Sequence, residues 1–99
     1  MLRVWGKIYK KGRIKTSVTV SDGHTDWSFK NRFYGLMEEI VRQLDLAMPI
    51  WLDNNKEDLR RFGYARFTQD NFIEPIGFDY LECQIIEVDK DDDETQMDP

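Results

Sequence analysis

Phe29, Phe33, Leu36, Met37, Ile40, Val41 and Leu44 recur at steps of three and four along the chain. That spacing is one face of a helix with a period of about 3.6 residues. Lys30, Asn31, Glu38, Glu39, Arg42 and Asp45 fall mainly on the other side. The pattern predicts an amphipathic helix over Phe29–Leu46, around which the rest of the chain is arranged. Asp26 or Ser28 would cap its first turn.

Before this helix the period changes to two. Leu2, Val4 and Ile8 alternate, with Gly6 in the gap, and Ile14, Val18 and Val20 alternate, with Thr16 in the gap. Two strands are expected, joined at Lys10-Lys11-Gly12 by a three-residue loop with Gly12 left-handed. That loop pairs Tyr9 with Arg13, Ile8 with Ile14, Gly6 with Thr16, Val4 with Val18 and Leu2 with Val20, and it gathers every apolar residue on one face. The opposite face then carries Arg3, Trp5, Lys7, Tyr9, Arg13 and Lys15, with Lys7 and Lys15 directly opposed.

Beyond the helix, Pro49 stops continuation, and Ile50-Trp51-Leu52 suits an edge strand. Asn55-KEDLRRF-Gly63 reads as a short capped helix, and Thr68–Asn71 as a helical turn leading into Phe72 and Ile73. Phe78–Val88 is a third strand, with Leu81, Cys83 and Ile85 on one face and Phe78, Tyr80, Glu82, Gln84 and Ile86 on the other. The predicted fold class is α+β: a small antiparallel sheet, made of the N-terminal hairpin and the C-terminal strand, with one long helix packed across one face. The domain spans 1–88. Residues 89–99, almost without apolar side chains, form an acidic disordered tail.

Charge follows the same division. The chain of 99 residues has a net charge of −5. Residues 1–86 hold 13 Lys/Arg and 12 Asp/Glu, whereas 87–99 hold Lys90 and seven acids. The body is near neutral, so the overall acidity says little about partners. No apolar run approaches the roughly 18 residues of a membrane span. The N-terminus lacks a signal core, and Cys83 is the only cysteine. These features suit a cytoplasmic protein.

At Pro49-Ile50-Trp51-Leu52, Arg66-Phe67-Thr68, Asp70-Asn71-Phe72-Ile73 and Phe78-Asp79-Tyr80-Leu81-Glu82, the chain resembles small uncharacterised proteins of anaerobic Firmicutes. The resemblance covers most of the chain and implies a bacterial cytoplasmic origin. It carries over no catalytic or binding residue.

Catalytic chemistry has few candidates. Cys83 lies on the apolar face of its strand, where a thiol has no reason to ionise. His24, between Asp22 and Asp26, offers a metal one imidazole and two carboxylates, but the same residues suit a turn and helix cap. Asp89–Glu94 begins like a calcium loop, yet Glu94 stands where glycine is required. Gln43-Leu44-Asp45-Leu46 resembles the start of the peptide that docks on bacterial sliding clamps, without its closing aromatic. No phosphate loop, zinc spacing or cofactor motif is present. The expectation is a non-enzyme with no metal and no cofactor.

The strongest lead is the outer face of the hairpin, with Trp5, Lys7, Tyr9, Lys11, Arg13 and Lys15 as candidate binding residues. Two readings follow. One is a protein–protein interaction module, such as an accessory or inhibitor protein of a mobile element. The alternative is a nucleic-acid-binding protein in which the aromatics stack bases and the cations meet phosphates.

Overall fold

The computed structural model describes residues 1–88; the acidic tail expected over 89–99 lies outside the described residues. Strands β1 (Leu2–Lys10) and β2 (Arg13–Asp22) form the hairpin, followed by helices α1 (Phe29–Leu44) and α2 (Asp53–Phe62), strand β3 (Tyr64–Phe67), a 3-10 turn (Gln69–Asn71) and strand β4 (Tyr80–Glu87). The four strands make one antiparallel sheet in the order β2-β1-β4-β3. The α+β class holds, but the sheet has four strands in place of three, and the short helix expected after Asn55 packs as α2 beside α1 in place of a single long helix.

Apolar alternation places Leu2, Val4, Ile8, Val20, Ala65, Phe67, Leu81 and Cys83 on one face of the sheet, where they pack with Phe33, Leu36, Met37, Ile40 and Val41 of α1. The gap at Gly6 has a physical cause. Ile40 Cγ2 lies 2.6 Å from where a Cβ on residue 6 would stand, so only glycine lets α1 cross the sheet this closely. Ser28 Oγ accepts from the Asn31 amide at 3.2 Å and caps α1. The helix ends two residues before the predicted Leu46 because Asp45 turns left-handed (φ 58) and Leu46 N–H closes back on the Val41 carbonyl at 2.8 Å. Arg32, buried on α1, binds the Asp22 carboxylate (2.8 Å) and carbonyl (3.0 Å), which fastens the end of β2 to the helix.

Ile50-Trp51-Leu52 is not an edge strand. It is an extended link whose Trp51 meets Phe33 and Phe67 edge-on at 5.8 and 5.0 Å. Asn55 does not precede α2 but lies inside its first turn, fully buried. Its carbonyl oxygen accepts from the Leu52 amide (3.0 Å) and from Asn71 Nδ2 (2.7 Å), while its own Nδ2 donates to the Arg66 carbonyl (2.8 Å). This buried amide pair joins the link, α2, β3 and the 3-10 turn, and satisfies polar groups that burial would otherwise penalise.

The hairpin register differs from the predicted one. The turn has two central residues, Lys11 (φ 54) and Gly12 (φ 76), and pairs Lys10 with Arg13. Both left-handed angles match the twist of the strands, as in a type I′ turn. A bulge then falls between Ile8 and Tyr9, so that Tyr9 pairs with Ile14 but Ile8 pairs with Thr16. Val4 meets Val20 and Gly6 meets Val18. Past the bulge the register is shifted by two residues, so the core faces survive. Ile14 is the casualty: it sits beside Tyr9 rather than Ile8 and is 44 % exposed.

Candidate binding surface

Both helices pack on the face that carries Gly6, so the other face is left open except where Phe62, at the end of α2, stacks on Tyr64 at 5.7 Å. The pairing of the strands arranges that face in rows. Tyr64, Gln84, Trp5 and Thr19 form one row; Arg66, Glu82, Lys7 and Ser17 the next; Tyr80, Tyr9 and Ile14 the third. The four aromatics are half-buried.

The middle row is a charge relay built by register alone. Lys7 Nζ lies 2.7 Å from Glu82 Oε1, and both side chains are nearly fully buried, 5 and 7 % exposed. Lys7 also donates to Gln84 Oε1 at 2.9 Å. Arg66 Nε donates to the other oxygen of Glu82 at 2.8 Å from a half-exposed position. Burial pushes the Glu82 carboxyl up, but its bonds to Lys7 and Arg66 outweigh this and hold it below the usual carboxylate range. The Glu82 bond in turn raises the Arg66 guanidinium.

The rings close over these charges from the sides. Lys7 Nζ lies 3.9 Å from the centre of the Trp5 ring and 5.9 Å from that of Tyr9. The Arg66 guanidinium lies over Tyr64 and Tyr80 at 5.0 and 5.2 Å, and Tyr9 stacks on Tyr80 at 4.8 Å. Each cation therefore has both a carboxylate and a π face.

Of the residues expected to form the site, Trp5, Lys7 and Tyr9 are brought together. Lys11, Arg13 and Lys15 are not on this platform. They are exposed and, with Lys10 and Ile14, line a shallow concavity at the hairpin tip. The bulge moves Lys15 to the helix side, where it lines a cavity with Ile8, Thr16 and Asp45, and its predicted opposition to Lys7 is replaced by Ser17. The tip is held by Asp79, which accepts from the Lys11 amide (2.8 Å) and donates its own amide to the Tyr9 carbonyl (2.9 Å). Sequence reasoning missed Tyr64 and Arg66, which reach the platform on a strand it did not predict.

The other candidate chemistries find little support. Cys83 is fully buried, and burial pushes its thiol far above the ordinary range. Asp22 is occupied by Arg32 and by His24 Nδ1 at 2.5 Å, and His24 stacks on Trp27 at 4.2 Å. Among the described residues no group of three or more His, Cys, Asp or Glu side chains is placed to hold a metal. The calcium-like stretch lies outside the described residues. In the clamp-like stretch, Leu44 is half-buried against the core and Asp45 terminates α1. No described helix is long and apolar enough to cross a membrane.

Comparison with protein-family models, with curated proteins and with solved structures gave no match.

Proposed function

We propose that the chain is a non-catalytic binding protein, acting in the cytoplasm, whose open sheet face receives a protein partner. The observation that carries this is the composition of the three rows: Trp5, Tyr9, Tyr64 and Tyr80 surround a Lys7–Glu82–Arg66 relay in which both cations are already paired with the one carboxylate. Trp, Tyr and Arg are the residues enriched at the energetic centres of protein interfaces. A polar centre with its bonds made can be covered without leaving a buried charge unpaired. Phosphates find less here, because Glu82 occupies Lys7 and Arg66.

A second reading, single-stranded nucleic acid, is favoured by the hairpin tip, where Lys10, Lys11 and Arg13 stand exposed at the end of the strand that carries Tyr9 of the Tyr9–Tyr80 stack. Capture of partners at several salt concentrations, with and without nuclease, separates the two. A protein partner on the platform survives nuclease and is lost in Trp5→Ala. Recovery that needs nucleic acid, falls steeply with salt and is lost on reversing the charges of Lys10 and Lys11 would overturn the protein reading.

A further inference from the structure

The two helices share a face of the sheet but do not close against each other. Between them runs a groove of about 590 Å³, within the size range of sites for small ligands. Phe33, Trp51 and Ile85 line it, together with Phe29 of α1 and Leu59 of α2. Phe33 is almost completely buried, whereas Phe29, Trp51, Leu59 and Ile85 remain half-exposed although they all pack on the core. This apolar area is left open by the native packing and stays in contact with water.

The rim is of one sign. Lys30 on α1 and Lys56 and Arg60 on α2 line the groove, and no carboxylate does. Arg60 is engaged by Glu57 at 2.6 Å. Lys30 and Lys56 have no ion-pair partner among the described residues. An apolar, aromatic trough with an unpaired ammonium group on each side suits a ligand that has an apolar body and one acid group.

We infer that this groove is a binding site for a small amphiphilic carboxylate, its apolar body against Phe33, Trp51 and Leu59 and its acid group between Lys30 and Lys56. The site is on the opposite side of the sheet from the partner surface and does not depend on it.

The test uses three probes of equal chain length on the full chain: decanoate, decanol and decylamine, followed by backbone amide shifts. Decanoate is expected to saturate at one molecule per chain and to move resonances around Phe29–Phe33, Trp51 and Lys56–Arg60. Decanol should bind more weakly and decylamine not measurably. K30E/K56E changes two exposed side chains, so it should keep the melting temperature while weakening decanoate about tenfold. K30Q/K56Q should fall between the two. Equal binding of decylamine and decanoate would overturn the inference. So would unsaturable decanoate binding, shifts centred on Trp5 and Tyr80, or a K30E/K56E protein that binds decanoate as well as the parent.

Discussion

Glu82 has two cationic partners and Lys7 has one carboxylate, and this asymmetry makes a quantitative prediction. In Glu82→Gln, Lys7 loses its counter-charge while remaining 5 % exposed, with Gln84 and the Trp5 and Tyr9 rings beside it. Removing one partner of a buried ion pair costs about 3–5 kcal/mol. In Lys7→Met, Glu82 keeps its 2.8 Å bond to Arg66, whose side chain is 51 % exposed and moves easily. The loss is then about 2 kcal/mol, the scale of one hydrogen bond to a charged group. Urea denaturation at neutral pH should therefore separate the variants by about 2 kcal/mol, with Glu82→Gln the weaker. pH supplies a second arm. The Glu82 carboxyl is lowered in the folded protein, so its contribution is present above its unfolded value near pH ~4.3 and is lost as pH falls through the lowered folded value. The gap between wild type and Glu82→Gln should narrow in acid. Asp22 is lowered as well, because its bonds to His24 and Arg32 outweigh a burial effect of opposite sign, so some acid dependence remains in the variant. If Lys7→Met costs as much as Glu82→Gln, the relay does not work as described.

Two further outcomes follow from packing. Gly6→Ala puts a methyl group 2.6 Å from Ile40 Cγ2 and should cost about 1–3 kcal/mol; an unchanged denaturation midpoint would refute the close crossing. Cys83, fully buried with its thiol pushed up, should react with a thiol reagent only as fast as the domain opens, so labelling in native buffer at the rate seen in denaturant would contradict its placement.

The parts of the fold that were legible in the sequence are those in which burial imposes a period. Helix α1 buries one stripe and shows it over four turns, and β4 turns Leu81 and Cys83 into the core while Tyr80, Glu82 and Gln84 alternate onto the other face. Strand β3 was not legible because Tyr-Ala-Arg-Phe is four residues long and one of its two inward positions is alanine. The helix start at Asp53 was masked by Asn55, a good cap by type, which caps the Leu52 amide from within the first turn while also binding Asn71 and the Arg66 carbonyl. The hairpin register turned on whether Lys11 takes a positive φ, which no local pattern announces. The core assignment survived because a shift of two preserves the faces, whereas Ile14 and Lys15, on the wrong side of the bulge, changed places. Half of the candidate surface was lost in the same way: Trp5, Lys7 and Tyr9 were visible as one face, but their partners Tyr64 and Arg66 depended on a strand order that alternation cannot give.

The central claim is that the open sheet face meets a protein partner, and photo-crosslinking in living cells tests it most directly. A photoreactive phenylalanine is placed at Thr19, exposed in the row of Trp5, or at Gln43, exposed on α1 on the far side of the sheet. The account predicts a discrete protein adduct from position 19 that disappears when Trp5→Ala is added, and none from position 43. Adducts from position 43 alone, adducts at 19 that ignore Trp5, or adducts to nucleic acid would contradict it.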